Sequence, residues 1–459
     1  MDSTLLALPV LIPWVLAAAL ALLDGRRPYV GWIAVAGLGA GFTCVLGLTF
    51  LVIRGGPVET VAGGWPEGVG ITLRADALGV AFAVVSIGVI LASLVYEVLG
   101  GVRSRTFPAL VAFMAAGLTG LFLTGDAFNF YVFFEISMTA AYALTGYREK
   151  DHQVRAAFIF AVINLLGSVI FLIGVAALYH VTGSLDMEVI AERASRVQPS
   201  SIISIATAVF VAFSLKLGLF PFHFWLPAVY VGSHPPVAAI LSGALANIGG
   251  YGLLRFGADV LPRELELGTV AVLILGTASI IYGALQAISR HETAEVLAYS
   301  AIGQAGYILL ALGIGGPVGY AAAVVYAVVN SMNKALLFLA AGTRGPLVGA
   351  AFAVGAFSVV GVPPAAGFVG KLAMFRASVE AGSVALTALI FFGGALSFVY
   401  VFQIYQRVFW ASDEKEKAGP LPTRVLVLLL AGLVLAAGLW PEPLLVLGEA
   451  AARVLEDGP

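Results

Sequence analysis

What most constrains this chain is that its apolar residues arrive in blocks of membrane-spanning length. About 20 predominantly apolar residues carry a helix across the hydrocarbon core of a bilayer. Fourteen stretches meet that measure, near 4–23, 29–53, 77–100, 107–125, 127–146, 156–180, 200–219, 236–257, 267–289, 294–313, 317–342, 347–380, 384–409 and 424–447. Hydrocarbon offers no partner to backbone N–H and C=O groups, so spans of this kind are helices. The expectation is an all-α polytopic membrane protein of about 14 transmembrane helices, the seventh and twelfth interrupted by proline. Composition agrees: 60% of the residues are hydrophobic and 11% charged, less than half the charged share of a soluble domain. The connections 54–76, 183–199, 258–266 and 411–423 are the ones long or polar enough to form real loops outside the membrane. The N-terminus, MDSTLLALPVLIPWVLAAALALL, lacks the basic n-region of a cleaved signal and is expected to stay as the first helix.

Much is excluded at this level. A net charge of −2 carries no nucleic-acid footprint. The single cysteine, Cys44, forms no intramolecular disulfide and no cysteine metal site. There is no Gly-rich phosphate loop and no His, Asp or Glu grouping with metal-ligand spacing. No catalytic site, cofactor or metal is expected, and the lipid bilayer is the medium in which any chemistry occurs.

Basic residues set the orientation. With the N-terminus outside, the cytoplasmic connections collect thirteen: Arg26, Arg27, Arg103, Arg105, Arg148, Lys150, Arg155, Arg290, Arg344, Arg407, Lys415, Lys417 and Arg424. Seven remain outside: Arg54, Arg74, Arg193, Arg196, Arg255, Arg263 and Arg453. That bias implies an even number of spans with both termini outside; the membrane expected is the inner (plasma) membrane of a cell. Trp32, Trp410 and Trp440 fall at helix ends, where amphipathic rings anchor.

Four basic residues are left over: Lys216, Lys334, Lys371 and Arg376, the last near enough to a helix end to snorkel. Half of the six lysines are thus expected mid-span, and no arginine. An intramembrane charge costs about 2.5–3.5 kcal/mol even on the lenient insertion scale. Lysine can shed its proton when desolvated, whereas arginine stays charged, so the choice of lysine points to proton carriage. Among acids, Glu135 lies about ten residues into the fifth span, with Lys216 as its candidate partner. At about 4 Å and an effective dielectric near 20 their attraction is about 4 kcal/mol. That is enough to decide which site holds a proton. Asp126 sits at a helix boundary and is expected to be a cap.

The stretch FSLKLGLFPFHFWLP, residues 213–227, joins Lys216 to His223 through Pro221, with Pro227 beyond; VVGVPPAAGFVGKLAMF sets Pro363 and Pro364 before Lys371. Proline breaks a helix, and in hydrocarbon a break survives only inside protein or beside water. One broken span with a nearby lysine in each half is the pattern of a transporter built from inverted repeats. Tyr326, Asn330 and Lys334 recur every four residues on one helix face, and Ser300, Gln304 and Tyr307 form a second polar stripe. His180, His234 and His291 sit near helix ends and are read as interfacial.

These motifs together resemble the antiporter-like subunits of Mrp-type cation/proton antiporters, respiratory complex I and membrane-bound hydrogenases, over nearly the whole length. The resemblance rests on FFE at Glu135, LKLGLFPFHFWLP, YGLLRF at 251–256, LAYSAIGQAGY at 297–307, NKALLFLAAG at Lys334 and GFVGKL at Lys371. It implies two inverted five-helix repeats, at 107–257 and 258–410, with flanking segments 1–106 and 411–459. It also implies a proton relay in which Glu135 and Lys216 are the coupling pair, Lys334 the central residue and Lys371 the terminal one. His223, Asn247, Ser300, Gln304, Tyr326 and Asn330 would provide an auxiliary polar path. Ala228–Tyr230 after the WLP, and lysine at 371, resemble the Mrp D-type branch. The partners implied are other membrane subunits of a hetero-oligomeric complex, with H⁺ and Na⁺ as the transported ions. Three departures stand out: Asn247 where the family carries lysine, Asn330 where relatives carry histidine, and Gln304 for another histidine. Asparagine and glutamine orient water but do not take up protons. Three readings follow: an ion-translocating subunit of a Na⁺/H⁺ antiporter, the pump module of a redox complex, or a conduction-impaired scaffold such as one serving inorganic-carbon uptake.

Overall fold

The computed structural model describes residues 2–65, 70–410 and 419–456. In chain order the elements are α1 (Asp2–Ala21), α2 (Pro28–Gly55), the antiparallel strands β1 (Val58–Val61) and β2 (Thr72–Ala75), α3 (Ala77–Gly100), α4 (Phe107–Phe122), α5 (Ala127–Thr145) and α6 (Asp151–Thr182). There follow α7 (Met187–Ala194), α8 (Pro199–Leu217), α9 (Leu226–Gly232), α10 (Pro235–Val260), α11 (Pro262–Ser289), α12 (Thr293–Ile314) and α13 (Gly316–Ala341). The chain closes with α14 (Pro346–Val360), α15 (Ala366–Glu380), α16 (Val384–Trp410), α17 (Leu421–Leu439) and α18 (Glu442–Glu456).

Among the described residues, 11 helices are long and apolar enough to cross a membrane, and α1, α4 and α14 contribute shorter apolar helices. Each of the fourteen expected spans has its helix. They sort by burial. The apolar window of α10 is 94% buried and that of α13 89%, against 28% for α2 and 22% for α17. So α10, α13, α12 and α3 form the interior, while α2, α11, α16 and α17 turn apolar side chains outward, as lipid-facing helices do.

Local chemistry sets the ends. Asp76 caps α3 by accepting from the Gly79 N–H at 2.8 Å, and Asp126 caps α5 through Asn129 at 2.6 Å, as expected. The hairpin β1–β2 extends onto residues 123–125 through Arg74 N–H to Leu123 O and Gly125 N–H to Thr72 O. It marks one face of the molecule, the hairpin face. α1 begins there, and α18 packs against α13, α3 and the hairpin-face end of α10.

Two runs of five spans repeat with opposite direction. The first is α4, α5, α6, α8–α9 and α10; the second is α11, α12, α13, α14–α15 and α16. The fourth member is broken in each. At the first break Gly218, with φ 74°, ends α8, and the Leu219 N–H returns to Ser214 O. At the second, Gly361, with φ 88°, ends α14, and the Val362 N–H returns to Phe357 O. A left-handed glycine cap stops a helix this way, and a proline follows three residues later in both, Pro221 and Pro364. The freed polar groups are used. Trp225 Nε1 donates to Leu215 O at 3.0 Å, and Ser358 Oγ accepts from the Gly367 N–H at 2.9 Å.

Four expectations need correction. The 258–266 loop does not form: α10 runs to Val260 and α11 starts at Pro262, because Arg263, Glu264 and Glu266 fit the exposed first turns of a helix. The last span is Leu421–Leu439 rather than 424–447; Trp440 ends it, and Glu442–Glu456 is a separate amphipathic helix. Arg255 is not a loop-side cation but is 4% exposed inside α10, ion-paired to Asp76 at 2.6 Å and Asp259 at 2.8 Å. Finally, His234 is no ordinary interfacial histidine, since it faces a buried carboxylate, Glu97, at 3.4 Å. Lys415 and Lys417, counted in the charge bias, lie outside the described residues.

Candidate functional site

Lys216, Lys334 and Lys371 are 5%, 1% and 4% exposed. Each sits on a different helix, α8, α13 and α15, and each meets a different environment.

Lys216 occupies the last turn of α8, before the break. Its Nζ donates to Asn164 O at 2.8 Å and to Ser168 Oγ at 3.1 Å, both on α6. It also lies 4.2 Å from the centroid of the Phe134 ring, a cation–π contact. Gly167, between those two partners, brings α6 close: a methyl there would approach Lys216 Cε to 3.4 Å. A cavity of about 10 Å³, room for about one water, is lined by Lys216, Asn164, Trp225 and Met138. Glu135 is the chain neighbour of Phe134 but makes no ion pair with Lys216. Its Oε1 is buried without a hydrogen-bond partner. The structure thus brings the expected pair into one neighbourhood without joining it.

Lys334 lies two turns before the end of α13, and among the described residues no atom accepts a hydrogen bond from its Nζ; the adjacent Asn333 Oδ1 is likewise unpartnered there. One turn earlier, Ser331 Oγ donates to Asn247 Oδ1 at 3.1 Å, and Asn247 Nδ2 donates to Ser86 Oγ at 3.0 Å and Gly243 O at 3.2 Å. Asn247 therefore ties α10 to α3 and α13.

Lys371 on α15 reaches Tyr307, with Nζ 3.3 Å from the hydroxyl and 4.5 Å from the ring centroid. Gly394 on α16 leaves room for it: a methyl there would lie 3.2 Å from Nζ. The Tyr307 ring packs on Tyr326 at 5.1 Å between centroids, and the Tyr326 hydroxyl donates to Gln304 Oε1. Gln304 Nε2 donates to the Tyr400 hydroxyl at 3.3 Å, which shares a 2.9 Å hydrogen bond with Ser300. Ser300, Gln304 and Tyr326 thus form one buried network with Lys371 at its end. Asn330 is part-buried and joins none of these bonds. His223 is buried in the first break, stacked on Phe220 and against Tyr282 with ring centroids 5.6 and 4.5 Å away, its Nδ1 unpartnered.

Several polar groups of this interior were not anticipated: Glu97, Tyr400, Ser86, Ser331 and the buried Arg255. The serines and Tyr400 carry no charge to betray burial. Glu97 and Arg255 stand within two turns of a helix end, where the same residues are ordinarily exposed. Among the described residues no group of three or more His, Cys, Asp or Glu side chains could hold a metal ion.

The NADH:quinone oxidoreductase/Mrp antiporter TM family matches residues 124–397, more than half of the chain. The chain belongs to this family. It is similar to the D-type subunit of the Na⁺/H⁺ antiporter of Alkalihalophilus pseudofirmus, 28% identical over 471 residues, covering 96% of this chain and 95% of the relative. The putative antiporter subunit mnhD2 of Staphylococcus haemolyticus is 28% identical over 465 residues, covering 96% and 93%. Among solved structures, a chain of the Mrp complex from Dietzia sp. superimposes with a TM-score of 0.91 at 27% identity, covering 99% of this chain and 98% of that one. A chain of the archaeal membrane-bound sulfane sulfur reductase gives 0.89 at 25% identity, covering 99% and 97%. One from respiratory complex I of Thermus thermophilus gives 0.78 at 27%, covering 95% and 98%. This family member is a multi-pass membrane protein, and its structural relatives work within multisubunit membrane complexes.

Proposed function

We propose that this chain is the proton-translocating subunit of a multisubunit cation/proton antiporter, with sodium as the exchanged cation. Protons move along Glu135, Lys216, Lys334 and Lys371. The observation that carries the reading is the near-complete burial of three lysines in an apolar interior, where a permanent charge has no stabilising role. In this reading the repeats are 107–257 and 258–410, flanked by 1–106 and 411–459. The hairpin face and both termini lie outside the plasma membrane.

Lys216 changes proton occupancy as it moves between Glu135 and the carbonyl and hydroxyl of α6. The observed bonds to Asn164 and Ser168 correspond to the open arrangement of the pair. Asn247 and Gln304 relay through bound water and their hydrogen-bonded neighbours rather than by taking up protons themselves. The likeness to two redox complexes supports a second reading, in which the same relay is driven by electron transfer in partner subunits.

The test is to purify the complex through this subunit in mild detergent, identify its partners by native mass spectrometry, and reconstitute it. Small cofactor-free membrane partners and sodium-driven proton movement are expected. Iron–sulfur partners without sodium dependence would select the redox pump. A lone soluble partner and no proton movement would leave the scaffold reading standing.

A further inference from the structure

α3 carries a buried carboxylate near each end, and the two are surrounded differently. At the hairpin face Asp76 receives Arg255 at 2.6 Å, Arg74 at 3.6 Å and the Gly79 N–H at 2.8 Å. Two guanidinium groups and an amide surround it. Glu97 lies about 32 Å further along the helix axis and is 3% exposed. Tyr147 donates its hydroxyl to Oε1, while Arg148 comes no nearer than 3.6 Å. His234, from the turn between α9 and α10, points Nδ1 at Oε2 at 3.4 Å without hydrogen-bond geometry.

The other charges acting on this cluster are Arg103, after α3, and Lys150, before α6. Arg344, after α13, acts on the adjacent Tyr96. All of these are fixed cations, so His234, a neutral imidazole with two ring nitrogens, is the neighbour that can take a proton at one nitrogen while giving one from the other. Its side chain is 18% exposed and that of Arg148 19%, so the cluster reaches the surface opposite the hairpin.

From Glu97 a polar stripe runs back along α3. Ser93 is one turn away and Ser86 two turns beyond, so the three share a face. That face meets α10, where Gly243 lies against both Val89 of α3 and the Ser331 carbonyl of α13. Ser86 meets Asn247, Asn247 meets Ser331, and Ser331 is one turn from Lys334. Ser93 is fully buried, and its hydroxyl has no partner among the described residues. Unpartnered polar atoms at this depth mark positions where water bonds.

We infer that His234 and Glu97 form the proton intake of a branch running along Ser93 and Ser86 to Asn247, Ser331 and Lys334. This rests on the proposed role of Lys334 as a proton carrier. A proton reaching His234 Nε2 releases the Nδ1 proton to the Glu97 carboxylate, which becomes a neutral acid while the imidazole stays neutral. Glu97 then passes that proton to a water chain at Ser93 and returns to carboxylate, and the neutral amine of Lys334 ends as ammonium.

The experiment is cation-driven proton transport by the assembled complex in proteoliposomes, over about pH 6 to 9. Glu97→Gln keeps the acceptor for Tyr147 but cannot carry a proton; transport is expected to fall at least about tenfold. Glu97→Asp is expected to recover part of it. Ser93→Ala removes a single hydroxyl and is expected to slow transport about three- to tenfold with assembly unchanged. If Glu97→Gln does not assemble, Ser93→Ala decides alone. Wild-type rates for both variants, with Lys334→Met inactive, would overturn the branch and leave the relay standing. A fully active Lys334→Met would remove the relay and the branch together.

Discussion

Replacing Asn247 with alanine cuts the bridge between α3, α10 and α13. Three hydrogen bonds go, to Ser86, Gly243 and Ser331, each worth about 0.5–1.5 kcal/mol net. Ser331 keeps a second bond, to Ala327 O at 2.9 Å, whereas the Ser86 hydroxyl is left unmatched. The expected destabilisation is therefore about 2–4 kcal/mol. With an unfolding entropy of about 2.1 cal/mol/K per residue, 459 residues translate this into a midpoint about 2–4 °C lower. Thermal unfolding of the detergent-purified complex measures it. A double-mutant cycle with Ser331→Ala should give a coupling of about 0.5–1.5 kcal/mol. Proton transport on the same preparations should fall for Asn247→Ala. Asn247→Lys should bring no gain because it breaks the same three bonds. A faster Asn247→Lys protein, or zero coupling to Ser331, would refute the view that Asn247 is a working bridge.

Arg255→Leu leaves Asp76 and Asp259 without their shared cation, at a cost of about 3–5 kcal/mol. Far less assembled complex should be recovered from membranes, with Arg255→Lys intermediate because one ammonium cannot bridge both acids. Gly394→Ala places a methyl 3.2 Å from Lys371 Nζ and 3.3 Å from Val360 O; assembly should persist while transport slows, read in proteoliposomes. His234 is held down to about 3, chiefly by burial and then by Arg148, Arg103 and Lys150. The unfolded imidazole titrates near 6.5, so between those values the unfolded chain binds a proton that the folded one excludes. Its contribution is fully present above about pH 6.5 and is lost as pH falls toward 3, by at most about 1.4 kcal/mol per pH unit. His234→Asn should flatten that part of a melting-temperature profile against pH.

The spans were legible in the sequence because the bilayer demands an apolar run of fixed length, and the breaks because Pro221 and Pro227, and Pro363 and Pro364, interrupt such runs. Lys216, Lys334 and Lys371 were legible for a related reason: a cation in hydrocarbon is costly wherever its helix points. Glu97 and Arg255 were not. Both stand near helix ends, where burial depends on what covers them, and only the packing of α3 against Tyr147, His234 and Arg255 buries them. The separation of Glu135 from Lys216 was equally hidden, since rotation of α5 and α8 about their own axes leaves no trace in either sequence. α18 escaped notice because Leu444, Leu445 and Leu447 continue the apolar pattern past Trp440, although the membrane helix has ended.

The most direct test of the relay is proton transport by the reconstituted complex carrying Lys334→Met, an apolar replacement of similar length at a side chain that makes no hydrogen bond among the described residues. Because no bond is lost, the complex should assemble and melt as the wild type does. The relay predicts that cation-driven proton movement drops at least about a hundredfold. Unaltered movement in an assembled Lys334→Met complex would contradict it.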